Sequence, residues 1–258
     1  MKCLLRRSIP YWLAIAVLAM RLSSAPTVSI AAASNLLPVL EALRAAWIAA
    51  EPGLVVTVSS GASGTLFAQI TQGAPYDLFL SADVNFPRQL AASGAGDPTS
   101  LRIFARGSLA LWTLRADLKL DDLAGTLSDP AVKRIALAQP RTAPYGHAAE
   151  LTLSALGFPQ ESRGRLVFAE NIAQVAQWVA TGHADVGFVA TSHLKATPAI
   201  GRWIAVPSSL HAGEPLEHAA ILTQRGAANP AARRCLELLT APDGAAILRT
   251  AGYLPAGR

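Results

Sequence analysis

The sequence predicts an α/β protein with two similar lobes and a hinged cleft between them. Strand and helix patterns alternate at short intervals in two successive series, which is typical of parallel sheets covered by helices. Apolar strand patterns near 105–115 and 214–222 could carry the chain from one lobe to the other and back. The 258 residues are 52% hydrophobic, enough for a substantial core.

The first series begins with a buried strand and an amphipathic helix. Apolar residues recur every three or four positions after residue 35, and Pro52-Gly53 ends that helix. The other strands are β-branched or apolar, and the other helices end near glycine. In order, the predicted elements are strand 27–34, helix 36–51, strand 54–60, helix 65–73, strand 77–83 and helix 85–94.

The second series follows one long apolar strand, Phe104 to Arg115, which could cross between lobes. It comprises strand 134–140, helix 147–157, strand 165–170, helix 172–182, strand 184–192 and strand 202–207. A strand at 216–224 returns to the first lobe, and two helices broken at Pro242 end the chain. The predicted lobes are 27–106 with 218–258, and 107–217.

The N-terminus has the layout of a secretory signal over residues 1–25. Basic residues precede the apolar run YWLAIAVLAM, and small residues follow it up to Ala25. Removing its four basic residues takes the net charge from +5 to about +1, so the charge gives no indication of nucleic-acid binding. A single cysteine then remains, which excludes an internal disulfide. We therefore expect an exported protein of the bacterial periplasm or a similar compartment.

Four uncharged or nearly uncharged loops stand where predicted strands meet helices. Ligands of parallel sheets bind outside the carboxyl ends of the strands, where helix N-termini offer unpaired N–H groups. Such loops could surround a small anion with neutral donors, although helix capping alone also explains their Ser and Asn residues. The loops are AAASN (31–35), SSGASG (59–64), TAPYG (142–146) and AENIAQ (169–174).

Other chemistry has weaker support in the sequence. GASGT lacks the final glycine of the G-x-S-x-G nucleophile elbow, because Thr65 occupies that position, and no histidine is paired with Ser63 by spacing. Neither a phosphate-binding loop nor a dinucleotide fingerprint occurs, and no Cys/His spacing indicates a metal site. Three strand-boundary carboxylates, Asp77, Asp83 and Asp185, are expected to make structural hydrogen bonds.

Several motifs, in order, resemble the periplasmic molybdate-binding proteins of ABC importers. They are AAASN, SSGASG, QGAPYDLFLSADVNFPRQL, APYG, ENIAQV and ADVGFVA, and the resemblance runs from about Val28 to Tyr253. It implies a two-lobed type II periplasmic binding protein fold that closes on one tetrahedral oxyanion, usually molybdate or tungstate. It also implies delivery to an inner-membrane permease, a monomer, no cofactor and no enzymatic activity.

The resemblance assigns ligand-binding roles to five residues. Carried over motif by motif, they are Ser34, Asn35, Ser63, Tyr145 and the backbone N–H of Ile172. Some family members have binding hydroxyls at two positions that are Ala62 and Ala190 here. The hypothesis is that Asn35 and Tyr145 supply the donors missing at those two alanines.

Reasoning from the residues alone leaves three alternative functions open. Another oxyanion is the first, although hydrogen phosphate would require an acceptor, and only Glu170 at a loop edge offers a carboxylate. A serine hydrolase using Ser63 is the second. A carboxylate-binding protein using Arg141 is the third.

Overall fold

The computed structural model describes residues 25–196, 200–211 and 216–256. The predicted signal segment lies outside these residues, apart from Ala25. The strands are β1 Thr27–Ala33, β2 Val55–Gly61, β3 Leu78–Ser81, β4 Arg102–Gly107, β5 Leu109–Thr113, β6 Ile135–Ala138, β7 Leu166–Ala169, β8 Val186–Ala190, β9 Arg202–Ala205, β10 Leu216–Leu222 and β11 Leu254–Pro255.

Ten α-helices connect these strands in the described part of the chain. They are α1 Leu37–Ala50, α2 Ser63–Thr71, α3 Asn85–Ala92, α4 Leu123–Ser128, α5 Pro144–Ala155, α6 Ile172–Ala180, α7 Thr191–Ala196, α8 Gln224–Ala227, α9 Pro230–Thr240 and α10 Pro242–Thr250. The predicted break at Pro242 is confirmed, because Pro242 is the first residue of α10. No described helix is both long and apolar enough to cross a membrane.

Two separate sheets form the framework, and each combines three parallel strands with antiparallel ones. The first has the order β11-β4-β10-β3-β1-β2, with β2, β1 and β3 parallel. The second has the order β7-β6-β8-β5-β9, with β7, β6 and β8 parallel. Each sheet therefore has an edge where parallel strands end and helices begin, and both site halves are built there.

The prediction of one long strand from Phe104 to Arg115 was wrong. The chain forms β4 in the first sheet and β5 in the second, with Ser108 between them. Phe104, Ala105 and residues 109–112 are apolar and buried, and the short interruption at 106–108 was not enough to predict two strands. The predicted strand 184–192 is also shorter than expected, because α7 begins at Thr191.

Each sheet has its own hydrophobic core. In the first, α1 buries Leu40, Leu43 and Trp47, and the Trp47 indole N–H donates to the Cys235 carbonyl at 3.0 Å. Each such large apolar side chain contributes roughly 1.5–3 kcal/mol when fully buried. The two cores make each sheet a stable platform for the loops at its strand ends.

Direct hydrogen bonds between described residues join the two lobes beside the strand ends. The Gly64 N–H, in the first turn of α2, donates to the Thr142 carbonyl at 2.8 Å. The Ser192 hydroxyl of α7 donates to the Asn35 carbonyl at 3.1 Å. Both bonds join residues of the first sheet's loops to residues that follow strands of the second, so the structure holds a closed cleft.

Candidate functional site

A small cavity lies where the carboxyl ends of β1, β2, β6 and β7 face each other. Its volume, measured as the space open to the centre of a water molecule, is about 10 Å³. All five residues that the sequence singled out line it, and none of its lining residues is charged. The lining consists of Ala33, Ser34, Asn35, Gly61, Ala62, Ser63, Ala82, Ala143, Pro144, Tyr145 and Ile172.

Ser34 and Ser63 bring hydroxyls to the cavity from the first sheet. Ser34 opens a single 3₁₀ turn directly after β1, and Ser63 is the first residue of α2 after β2. The Ser63 Oγ accepts a hydrogen bond from the Ala82 N–H at 3.0 Å. A hydroxyl oxygen that accepts in this way keeps its own proton for another acceptor. Both hydroxyls are buried, so desolvation has already occurred in the folded protein.

Ile172 presents a backbone amide at the start of α6. The Asn171 side chain caps this helix, and its Oδ1 accepts from the N–H groups of Ala173 and Gln174, both at 3.1 Å. This cap satisfies the second and third amides of the helix and not the first, which belongs to Ile172. The Ile172 N–H is therefore the amide of this turn that a ligand in the cavity can use.

Tyr145 enters the cavity from α5 and is completely buried. Its hydroxyl has no hydrogen-bond partner among the described residues, and burial raises the pKa of this phenol well above its usual value. The neutral phenol is then a donor over the whole physiological pH range. A Cβ on Gly107 would lie 1.9 Å from the Tyr145 Oη, so only glycine at the end of β4 leaves room for this hydroxyl.

Asn35 is held by hydrogen bonds at its side-chain nitrogen and at its backbone carbonyl. Its Nδ2 lies 2.6 Å from His218 Nε2 and donates to the Tyr253 hydroxyl at 3.0 Å. The Tyr253 hydroxyl in turn donates to the Asn35 carbonyl at 2.6 Å. The side-chain oxygen Oδ1 is buried without a partner. The side-chain amide hydrogens thus point to protein acceptors, and the donor that Asn35 can still offer the cavity is its backbone N–H.

Sequence reasoning missed His218, Tyr253 and Gly107, which surround the buried ends of Asn35 and Tyr145. The His218 ring contacts Tyr145 and Tyr253 edge to face, with ring centroids 5.9 and 5.4 Å away. In the sequence, these residues are 70 or more positions from the loops that they support. The separation of Gly107 from Tyr145 is the one exception and is shorter. The one indication of this arrangement in the sequence was the Gly107-Ser108 dipeptide, which interrupts an apolar strand pattern.

The remaining polar residues named from the sequence have structural partners. Asp77 accepts from the Ser29 N–H at 2.8 Å and from Arg225 at 3.0 Å. Asp185 accepts from the N–H groups of Lys133 and Arg134 and from Arg115. Asp83 accepts from the Ser81 hydroxyl at 2.8 Å, and burial raises its pKa. The expectation of structural hydrogen bonds is confirmed for these three carboxylates.

The two alanines singled out in the sequence lie in different surroundings. Ala62 lines the cavity, while Ala190 is fully buried in β8 opposite Leu109. Among the described residues no hydrogen bond links Ser63 to a histidine, so the arrangement lacks the base that a serine nucleophile requires. The uncharged lining offers hydroxyl and backbone N–H donors to a small polar ligand.

Comparison with known proteins identifies the family to which this chain belongs. Residues 28–254 match the family described as bacterial extracellular solute-binding protein. The chain belongs to this family. The solute-binding protein is similar to two relatives named molybdate-binding protein ModA. That of Azotobacter vinelandii is 36% identical over 207 residues, covering 79% of this chain and 80% of the relative. That of Rhodobacter capsulatus is 37% identical over 202 residues, covering 78% of each.

A solved structure extends this likeness to three dimensions. The periplasmic molybdate-binding protein of Azotobacter vinelandii has a TM-score of 0.81 to this solute-binding protein at 32% identity, covering 89% of this chain and 100% of that chain. The predicted resemblance and the two-lobed α/β fold are therefore confirmed. The relatives are solute-binding proteins, so this chain is a binding protein and the serine-hydrolase alternative is wrong.

Proposed function

We propose that this protein captures molybdate, and also tungstate, between its two lobes and delivers the anion to an inner-membrane ABC permease. The observation that carries the proposal is the uncharged cavity, which collects Ser34, Asn35, Ser63, Tyr145 and Ile172 at the carboxyl ends of four parallel strands. The similarity to two molybdate-binding relatives at 36% and 37% identity supports the choice of anion.

The donors that we assign to the anion are neutral and come from both lobes. Ser34, Asn35 and Ser63 belong to the first sheet's loops, and Tyr145 and Ile172 to the second's. Hydroxyls and backbone amides stabilise a buried oxyanion through many short hydrogen bonds, and they leave no uncompensated charge in the empty cavity. Binding of the anion therefore joins the lobes and favours the closed cleft.

Selectivity between oxyanions follows from the size of this donor cage. Sulfate has the charge and the tetrahedral shape of molybdate but is smaller, so donors set for molybdate would be too distant for sulfate oxygens. Molybdate and tungstate have nearly equal radii, so the size of the cage does not distinguish between them. Sulfate is the alternative ligand if the cage contracts.

The cellular setting is part of the same proposal. We assign residues 1–25 to a cleaved signal, 27–106 with 218–258 to the first lobe, and 107–217 to the second. The exported protein acts in the periplasm as a monomer, and the closed lobes together form the surface that the permease recognises. The extracellular solute-binding family supports this setting.

Calorimetric titration of the protein without residues 1–25 tests the proposal. Molybdate and tungstate are expected to bind at micromolar concentration or below, with sulfate and phosphate far weaker. Binding of sulfate in preference to molybdate would identify the alternative ligand. Failure of both molybdate and tungstate to bind at micromolar concentration would refute the proposal.

A further inference from the structure

We infer that His218 is a positioning residue of the oxyanion site: by accepting a hydrogen bond from Asn35, it fixes which atoms of the first loop face the ligand. The inference rests on the proposed oxyanion-binding function. His218 does not line the cavity. It stands behind Asn35, on the strand β10 that returns the chain to the first sheet.

The tautomer of His218 follows from its neighbours. Its Nδ1 lies 2.8 Å from the Leu216 carbonyl, which is an acceptor only, so Nδ1 carries the ring proton. Burial lowers the pKa of His218 to about 4, although the bond to the Leu216 carbonyl acts in the opposite direction, so the ring is neutral at neutral pH. Its Nε2 is then an unprotonated acceptor.

This tautomer decides the orientation of the Asn35 amide. The atom 2.6 Å from an unprotonated Nε2 has to be a donor, which identifies it as Nδ2 of Asn35 and not Oδ1. The second Nδ2 hydrogen goes to the Tyr253 hydroxyl, whose own proton goes to the Asn35 carbonyl. One hydrogen-bond network, with a single acceptor for each donor, thus joins Leu216, His218, Asn35 and Tyr253.

The backbone of β10 aims the ring at Asn35. The pairing of β10 with β4 shifts register between His218 and Ala219, a bulge of the kind that redirects a side chain next to a binding site. Gly107 on β4 leaves the space, because a Cβ there would lie 2.6 Å from His218 Cε1. The ring therefore occupies a place that two local irregularities of the sheet provide.

The consequence for the ligand concerns the first loop. With its Nδ2 hydrogens and its carbonyl engaged, Asn35 is held with its backbone N–H available to the cavity, next to the Ser34 hydroxyl. Without an acceptor at position 218, the side-chain amide loses its preferred orientation and the loop loses one of its anchors. His218 thus acts on the anion through Asn35, without touching it.

Substitution of His218 by asparagine or by glutamine distinguishes this positioning role from a role in packing alone. A glutamine at 218 can place an amide oxygen near the position of Nε2, whereas an asparagine reaches only the position of Nδ1. His218→Asn is expected to weaken molybdate binding about tenfold through loss of the hydrogen bond to Asn35, and His218→Gln to restore most of that loss. Both variants lose the ring contacts, so their melting temperatures should fall by similar amounts.

A double-mutant cycle with Asn35→Ala completes the test by calorimetric titration with molybdate. Because His218 acts through the Asn35 side chain, His218→Asn is expected to have no further effect in the Asn35→Ala background. Equal affinities for the Gln and Asn variants, or additive losses in the cycle, would overturn the inference. A wild-type protein that binds none of the four oxyanions would instead remove the proposed function, and the inference with it.

Discussion

Substitution of Gly64 by alanine should block closure of the cleft without unfolding either lobe. A Cβ at position 64 would lie 2.8 Å from the Phe86 ring and 3.0 Å from both the Cα and the carbonyl oxygen of Thr142. The contact with Phe86 is to its side chain, which can move. The contacts with Thr142 are to backbone atoms on the opposite side of the cleft. The simplest relief is therefore a small separation of the lobes.

The size of the effect follows from these distances. Restoring ordinary contact at Thr142 requires a separation of roughly 0.5 Å, which lengthens the 2.8 Å hydrogen bond between Gly64 N–H and the Thr142 carbonyl and costs about 1 kcal/mol. The same movement carries the donors of Tyr145 and Ile172 away from an anion held by the first lobe. Together these losses should weaken molybdate binding about 10- to 100-fold.

Calorimetry gives the affinity, and thermal unfolding without ligand gives the stability. Gly64 lies within α2, where alanine is the better helix former by up to about 1 kcal/mol, so the melting temperature should not fall. Gly164→Ala is the matched control, because a Cβ there has no atom within 4 Å and the residue does not line the cavity. Wild-type affinity in Gly64→Ala would refute the account of closure, as would equal losses in both variants.

Three further predictions concern single side chains. Ser63→Ala should weaken molybdate binding about tenfold by removing a buried donor, whereas the exposed Ser60→Ala should leave the calorimetric affinity unchanged; equal effects would contradict the assignment of Ser63. Tyr145→Phe removes a hydroxyl with no protein partner, so thermal stability should be kept or raised while affinity falls, and an unchanged affinity would show that this hydroxyl does not reach the anion. Acidification from pH 6.5 to 4 should lower the unfolding free energy, because burial lowers the folded-state pKa of His218 and of His193 to about 4 while the unfolded chain takes up protons near 6.5. Each histidine contributes up to about 3 kcal/mol to this loss. Denaturant titrations should therefore show that the unfolding free energy of His218→Gln depends less on pH than that of the wild type. An unchanged pH dependence would contradict the buried neutral ring.

Much of the fold could be predicted because its signals are local. Apolar strands ending in small polar residues, followed by helix patterns, placed β1, β2, β6 and β7 within a few residues of their observed bounds. The rule that ligands bind at the carboxyl ends of parallel strands brought the four loops together. The family resemblance then singled out residues within them, and all of these line one cavity: Ser34, Ser63, Tyr145 and Ile172.

The orientation of site groups could not be predicted, because it depends on contacts between distant parts of the chain. Asn35 meets His218 across 183 positions and Tyr253 across 218. The sequence suggested Asn35 as a side-chain donor, and only the geometry shows its amide hydrogens engaged by these two residues. Gly107 likewise carried no sign that it makes room for the Tyr145 hydroxyl, since that packing arises where β4 crosses to the second sheet.

The uncharged lining of the cavity has an electrical consequence for the whole molecule. Since none of the lining side chains carries a charge, a bound dianion keeps both of its negative charges and adds them to the protein. Without the N-terminal signal the chain has a net charge of about +1, so loading would change its sign to about −1. Empty and loaded forms should therefore migrate in opposite directions near neutral pH, and the direction of migration in a native gel reports occupancy without any label.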